Sequence, residues 1–191
     1  MQNGVDPIKP LKTDRLILRA FQENDYESVY AYTNSIDYVN YKIWGPNAEG
    51  DTCDFLKKTI ENYDVEPLLE FSFAVTIKET GQLIGGCNIL KNPLHNDAMI
   101  GWILHRDYWQ LGFGSELAHE LLRFGFEELK IHRIWAACDS ENYNTCRVME
   151  RNKMRKEGHF IKNCSARGQW RGEFIYAILD EEWQVLSKAI S

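Results

Sequence analysis

The sequence has no long hydrophobic run and few cysteines, and both absences narrow what the chain can be. No stretch approaches the ~18 apolar residues of a membrane-spanning helix, and the first ten residues, MQNGVDPIKP, lack the apolar segment of a secretion signal. The 5 cysteines are scattered and form no Cys-x-x-Cys pair, which argues against a disulfide framework and a zinc site. We therefore expect a cytoplasmic protein with reduced thiols, no membrane partner and no bound metal.

Basic residues are also scarce. The 191 residues include 22 Lys and Arg against 28 Asp and Glu, a formal net charge of −6, which argues against nucleic acid as a partner. Residues 1–70 hold 7 basic against 13 acidic side chains, whereas residues 141–170 hold 7 basic against 3 acidic ones. The acidic part suits a cationic substrate and the basic part a polyphosphorylated ligand, although such charges more often simply face solvent. Length and an apolar content of 44% indicate one globular domain, residues 1–191.

The most informative stretch is residues 98–128, where a strand pattern changes into a helix pattern. Residues 98–104 are an apolar run of strand length, and apolar residues in 115–129 recur at three- and four-residue spacing. Gly112 and Gly114 lie between them. The first amides of a helix lack intrahelical partners, and glycines there let an anion approach closely. The turn thus predicts a phosphate site; the alternative is a tight connection and nothing more.

Two common nucleotide motifs are missing from this turn. A P-loop would end in Gly-Lys-Ser or Gly-Lys-Thr, but Gly114 is followed by Ser115 and Glu116. A dinucleotide fingerprint would need a third glycine where Leu117 stands. The phosphate ligand is therefore of another kind.

The segment Tyr108–Glu116, YWQLGFGSE, resembles the pyrophosphate-binding segment of the GNAT superfamily of acyl-CoA-dependent N-acyltransferases. It is most similar to the branch of ribosomal-protein alanine acetyltransferases, in which Trp often replaces the usual Gln or Arg, as Trp109 does here. Four further segments resemble family motifs in the same order: residues 13–19, 82–86, 142–150 and 176–183.

The resemblance implies an α/β (α+β) fold with a mixed, mostly antiparallel sheet that is split by a V-shaped cleft and flanked by helices. Hydrophobic periodicity predicts compatible elements. The predicted strands are residues 15–19, 71–77, 82–90, 98–104, 133–138, 159–162 and 173–179. The predicted helices are residues 24–32, 35–40, 51–62, 115–129, 144–152 and 181–190, with Phe55, Leu56, Thr59 and Ile60 facing inward.

The resemblance also implies acetyl-CoA as cosubstrate. The amides of Leu111, Gly112, Phe113, Gly114 and Ser115 would bind its pyrophosphate. The backbone at Ile103 and Leu104 would pair with its pantetheine arm, as would the side chain of Asn142. The hydroxyl of Thr145 would lie near the sulfur, and either this hydroxyl or an ordered water would then serve as the catalytic acid. For Asn142 and Thr145 the alternative role is helix capping.

Two positions depart from the family pattern. Met149 stands where many members have a tyrosine that protonates the thiolate, and Ala137 stands where some have a glutamate base. Without a strong base, an α-amino acceptor is favoured over lysine, because its pKa of about 7.7–8.0 lies much nearer neutrality than about 10.4. The five histidines, Glu70 and Tyr176 are other acid–base candidates, and no single one stands out. Tyr38, Tyr41, Trp44 and Trp102 are candidates for the acceptor pocket.

The sequence thus predicts an acetyl-CoA-dependent N-acetyltransferase for a primary amine, with a protein N-terminus favoured. The alternatives are a small-amine acetyltransferase, for a polyamine, an aminoglycoside-like compound or an amino acid, and a catalytically silent acyl-CoA sensor. The oligomeric state is left open, and a homodimer is one arrangement that the resemblance allows.

Overall fold

Eight strands and five α-helices form the part of the chain that the computed structural model describes, residues 8–34 and 45–190. The strands are β1 (Leu11–Lys12), β2 (Leu16–Arg19), β3 (Glu70–Ile77), β4 (Leu83–Asn92), β5 (Asp97–Leu104), β6 (Arg133–Asp139), β7 (Arg155–Ala166) and β8 (Gln169–Leu179). The helices are α1 (Tyr26–Thr33), α2 (Glu49–Asn62), α3 (Phe113–Arg123), α4 (Tyr143–Arg151) and α5 (Asp180–Ile190). Within these ranges, no helix combines the length and apolar character that a membrane crossing needs.

The strands make one sheet in the order β1-β2-β3-β4-β5-β6-β8-β7, antiparallel except between β5 and β6. Those two strands pair in parallel only at their first residues, from Asp97 opposite Arg133 to Met99 opposite Trp135. Beyond Met99 and Trp135 they part, and this leaves the remainder of β5 with an unpaired edge toward β6. The predicted mixed, mostly antiparallel sheet with a split between its central strands is confirmed.

Two apolar clusters cover opposite faces of the sheet. The larger one packs α3, through Leu117 and Leu121, against residues such as Phe73 and Ile100. The smaller one packs α1 and α2 against the other face, through Val29, Tyr32, Leu56, Ala74 and Phe21, with Ile103 beside it. Alternation of side chains along each strand sends neighbouring residues to opposite faces. Consecutive residues of β5 therefore serve different layers of the molecule.

Helix α3 differs from the predicted helix at both ends. It begins at Phe113 and not at Ser115, because Gly112 adopts φ +85° and ends the preceding turn. It ends at Arg123 and continues directly into a π-helical turn, Phe124–Glu128. Gly125 lies in that turn, and a Cβ there would be 2.5 Å from Ile134 Cδ1, so the missing side chain lets the helix lie close against the sheet.

The hairpin of β7 and β8 is the largest departure from the predicted elements. Sequence periodicity predicts only residues 159–162 and 173–179, joined by a polar loop, whereas the strands extend to a tight turn at Arg167 and Gly168. Nearly all of β7 is exposed, and it is held in the sheet by backbone pairing with β8. Its sequence therefore shows no alternation of apolar residues from which a strand could be predicted. Phe55 is also not fully inward: it is 38% exposed and packs edge-on against Phe21. The predicted helix at 35–40 lies outside the described residues.

Candidate active site

The turn before α3 has the geometry of an anion site; its residues, Leu111–Ser115, are called the glycine cradle below. The amides of Ser115 and Glu116 both donate to the Gly112 carbonyl, at 3.1 and 3.2 Å. The amides of Phe113 and Gly114, the first two of the helix, have no intrahelical acceptor. Ser115 Oγ is buried and has no hydrogen-bond partner among the described residues. Free amides and an orphaned hydroxyl at a helix N-terminus fit a phosphate group.

A polar brace holds this cradle against the turn between β1 and β2. The carboxylate of Glu116 accepts hydrogen bonds from the Thr13 hydroxyl, from the Arg15 amide (2.8 Å) and from Arg15 Nε (2.7 Å). Arg15 also donates to the Leu111 carbonyl (3.1 Å) and lies over the ring of Phe113, 4.3 Å from its centroid. Burial opposes ionisation of Glu116, yet the hydrogen bonds from Thr13 and Arg15 and the charge of Arg15 hold its pKa below the ordinary value.

Sequence reasoning did not assign this brace. Thr13 and Arg15 entered only as part of a resembling segment, about 100 residues from the cradle in the chain. The signal that could have found it is a charged pair, Arg15 and Glu116, each next to an expected element boundary. Pairing across such a separation is set by the sheet order and cannot be read from local spacing.

Helix α4 packs across the beginning of α3. A Cβ on Gly114 would be 3.3 Å from Val148 Cγ2, and Asn152 Nδ2 donates to the Ser115 carbonyl at 3.1 Å. Asn142 is the N-cap of α4, and its Oδ1 accepts from the Thr145 amide at 3.1 Å. The capping alternative for Asn142 is therefore present in the structure. Pantetheine contacts of Asn142 and a catalytic role of Thr145 stay predictions.

The end of β5 connects the cradle to the opposite face of the sheet. Leu104 Cδ1 would be 4.0 Å from a Cβ on Gly114, so this side chain reaches the cradle. The Leu104 carbonyl accepts from the indole Nε1 of Trp109 at 2.7 Å, which fixes the chain as it leaves the strand. The preceding residue, Ile103, lines a cavity on the other face. Pairing of a pantetheine arm with the backbone of Ile103 and Leu104 stays a prediction.

A cavity of about 530 Å³, here called the α2 cavity, lies between the sheet and helices α1 and α2. Its lining residues are Phe21, Val29, Tyr32, Thr33, Asn47, Asp51, Asp54, Phe55, Lys58, Glu70, Ser72, Gly86, Cys87, Asn88, Gly101, Trp102 and Ile103. Small residues make its floor: a Cβ on Gly86 would be 3.0 Å from Phe21 Cζ and 3.2 Å from the Tyr32 hydroxyl. Three carboxylates against one lysine favour a cationic ligand.

Glu70 and Asn88 form the polar contact on the sheet side of this cavity. Glu70 Oε1 accepts from Asn88 Nδ2 at 3.0 Å and from the Ser72 hydroxyl at 3.3 Å. Cys87, which directly precedes Asn88 on β4, is also among the lining residues. Burial raises the pKa of its thiol above the ordinary value. Its thiol is therefore a weak nucleophile.

Comparison with known proteins decides the family. The sequence profile of the acetyltransferase (GNAT) domain matches residues 15–155. This chain belongs to the GNAT family. YnaD of Bacillus subtilis (strain 168), an uncharacterized N-acetyltransferase, is 36% identical over 174 residues, which cover 91% of this chain and 98% of YnaD.

Solved structures agree with this fold. An acetyltransferase (GNAT family) from Bacillus anthracis is 35% identical, with a TM-score of 0.81, and covers 91% of this chain and 100% of its own. The spermidine N-acetyltransferase from Vibrio cholerae, solved in complex with CoA and spermine, has a TM-score of 0.78 at 21% identity and covers 90% and 99% of the two chains. At that identity it shows the shared fold alone. The likeness to the ribosomal-protein alanine branch stays a prediction.

The remaining acid–base and acceptor-pocket candidates of this GNAT chain do not lie together. Glu70 and Trp102 line the α2 cavity. Tyr176 does not: it is 2% exposed, donates to Glu150 Oε1 at 3.0 Å, and burial together with that bond raises its pKa. Met149 is fully buried, as a core residue would be. None of the five histidines lines the α2 cavity, and Tyr38, Tyr41 and Trp44 lie outside the described residues.

Proposed function

We propose that this N-acetyltransferase takes its acetyl group from acetyl-CoA and transfers it to a primary amine that enters the α2 cavity. One observation carries the proposal: the end of β5 meets both sites, since Leu104 reaches the glycine cradle on one face and Ile103 lines the α2 cavity on the other. The cosubstrate would supply the thioester through the split. The acceptor would attack it from the face of α1 and α2.

The chain's own residues divide the work as follows. The cradle amides and the Ser115 hydroxyl would bind pyrophosphate, the β5 edge at Ile103 and Leu104 would bind pantetheine, and the Thr145 hydroxyl would lie near the sulfur. During transfer the amine nitrogen bonds to the acetyl carbon and the carbon–sulfur bond breaks. Of the two protons that the ammonium group gives up, one ends on the thiol of CoA and the other in solvent.

The acceptor that we place first is the α-amine of a protein N-terminus. Deprotonation at pH 7 costs about 1 kcal/mol for an α-amine and about 4–5 kcal/mol for a lysine-type amine, at 1.36 kcal/mol per pKa unit. The described site lacks the two acid–base residues of other members, since Met149 and Ala137 replace them. The lower cost therefore favours the α-amine.

A small cationic amine is the second candidate, because of the acidic lining of the α2 cavity. Asp51, Asp54 and Glu70 surround a space of about 530 Å³, within the range of small-molecule sites. The structurally similar enzyme from Vibrio cholerae acts on spermidine by its name. A cytoplasmic location, where the five cysteines would stay reduced, completes the proposal.

The test is thiol release from acetyl-CoA with three acceptors: a peptide with a free N-terminus, an N-terminally blocked peptide with a free lysine, and spermidine. We expect release with the first or the third. The Gly112→Glu variant, which puts a carboxylate into the cradle, should lose CoA binding by calorimetry and release no thiol. CoA binding by the wild type without turnover of any acceptor would favour the sensor alternative, and no CoA binding would overturn both.

A further inference from the structure

The α2 cavity contains one amide whose orientation is fixed by its neighbour. Glu70 is a carboxylate that accepts hydrogen bonds, so the atom of the Asn88 amide that faces it at 3.0 Å must be the donor, Nδ2. Ser72 donates to the same carboxylate oxygen at 3.3 Å, which holds Glu70 in place. The other end of the amide, Asn88 Oδ1, must then point away from Glu70. An acceptor atom is thereby presented in a defined direction.

The structure shows where that acceptor atom lies. Asn88 is opposite Gly101 in the pairing of β4 with β5. A Cβ on Gly101 would be 2.8 Å from Asn88 Oδ1, closer than side-chain atoms pack, so the oxygen lies directly over Gly101. Within the described residues, Asn88 Oδ1 accepts no hydrogen bond. Gly101 is two residues before Ile103, next to the unpaired edge of β5, where the thioester would lie.

We infer that Asn88 Oδ1, oriented by Glu70, accepts a hydrogen bond from the acceptor amine and holds it over Gly101 for attack. This inference rests on the proposed function and deepens it, since it assigns the residue that positions the amine. Asn88 touches the substrate, and Glu70 is a positioning residue that acts through Asn88. The carboxylates Asp51 and Asp54 and the ammonium of Lys58, all on α2, line the same cavity and set its charge.

The chemistry of the pair predicts a preference for N–H donors. An amide oxygen with a carboxylate behind it can accept but cannot donate, so the group that it binds must bring a proton. Both an amine and an ammonium fulfil this condition, and the ammonium form adds a favourable charge interaction with Glu70 as it enters the cavity. The absence of a side chain at Gly101 leaves room for the Asn88 oxygen itself, which lies 2.8 Å from the position that a Cβ would take. Any side chain there would displace Asn88 and, with it, the amine that the oxygen binds.

The central experiment compares Asn88→Leu, which keeps the size of the side chain, with Asn92→Leu, a control on the same strand outside the cavity lining. The acceptor is whichever of spermidine and the free peptide the wild type acetylates. We expect kcat/KM for the amine to fall roughly 10- to 100-fold in Asn88→Leu, the range that one hydrogen bond to a charged group is worth. CoA affinity should stay within about twofold, and Asn92→Leu should behave as the wild type.

A double-mutant cycle tests the role given to Glu70. Glu70→Gln should lower kcat/KM in the wild-type background, because a glutamine no longer fixes which end of the Asn88 amide faces it. In the Asn88→Leu background the same change should have little effect. Fully additive losses would contradict the assignment of Glu70 as a positioning residue that acts through Asn88.

Gly101→Ala gives an independent variant should Asn88→Leu fail to fold. Its methyl group would occupy the position 2.8 Å from Asn88 Oδ1, so we expect a raised KM for the amine with unchanged CoA affinity. Amine kinetics within about threefold of the wild type in both variants would overturn the inference and leave the proposed function intact. A wild type that acetylates none of the amines would overturn the proposed function itself, and the inference with it.

Discussion

At the scale of single residues, two glycines with nearly the same backbone conformation stand in different surroundings. Gly112 has φ +85° at the start of α3, and Gly81 has φ +72° in the turn between β3 and β4. A Cβ on Gly112 would be 3.3 Å from Arg15 Nη2, whereas a Cβ on Gly81 would meet nothing within 4 Å. The two positions therefore separate backbone strain from damage to the cradle.

We predict that Gly112→Ala and Gly81→Ala each lower the free energy of unfolding by about 1 kcal/mol, because alanine is strained in the left-handed region. Only Gly112→Ala should also weaken CoA binding, by roughly tenfold, since it changes the amides that would bind pyrophosphate. Thermal unfolding and calorimetry with CoA measure the two quantities. Equal CoA affinities in the two variants would count against the cradle as the pyrophosphate site.

The same scale shows which site residues local sequence can reveal. Gly112 and Gly114 stand out because they lie between an apolar strand and an amphipathic helix. In the structure they lie at the start of α3. Asn88 gives no such signal: it is one polar residue in a strand, and only its contacts with Glu70 and Gly101 distinguish it. The same holds for Glu116, whose partners Thr13 and Arg15 lie about 100 residues earlier in the chain.

At the scale of elements, the Glu116 brace connects the turn between β1 and β2 to the first turn of α3. Hydrogen bonds and the charge of Arg15 outweigh burial and lower the pKa of Glu116 in the folded chain. A carboxyl with a lowered pKa stabilises the fold above its unfolded-state pKa, and this contribution is lost as pH falls through the folded-state value. The brace should therefore fail in acid, below the ordinary carboxyl pKa of 4.5.

We predict that Glu116→Gln lowers the unfolding free energy at pH 7 by on the order of 1 kcal/mol, and that the difference from the wild type shrinks as pH falls toward 3. Thermal unfolding at a series of pH values measures it. Glu79→Gln is the matched control, since Glu79 is exposed in the β3–β4 turn and has no ion pair among the described residues. A difference that persists unchanged at pH 3 would show that the carboxylate charge is not what the brace uses.

Elements were predictable from sequence in proportion to their burial. Strands β3 to β6 and helix α3 have one or two apolar faces, and their periodicity places them within a few residues. The sequence predicts β7 and the first part of β8 too short, because these residues are largely exposed and pairing between backbones leaves no mark in the side-chain pattern. Gly125, in the π-turn that follows α3, packs so closely on Ile134 of β6 that a Cβ would be 2.5 Å from Ile134 Cδ1, and no local pattern encodes this contact.

At the scale of the whole molecule, the proposed cosubstrate and acceptor sites lie on opposite faces of one sheet, and the end of β5 connects them. In the proposed arrangement both substrates would be bound at once, and direct attack of the amine would need no carrier residue. Cys87 is the cysteine among the residues that line the α2 cavity, and its side chain packs in the larger apolar cluster together with Phe73. Burial raises the pKa of this thiol, so the thiolate that a nucleophile requires is disfavoured.

We therefore predict sequential kinetics: double-reciprocal plots at several fixed amine concentrations should intersect, because both substrates must be present before product leaves. Mass spectrometry of the enzyme after incubation with acetyl-CoA alone should show no acetyl adduct. The Cys87→Ala variant should give the same intersecting pattern. Parallel lines together with an acetyl adduct on Cys87 would mean that the thiol carries the group between the faces, and the direct route through the split would then be wrong.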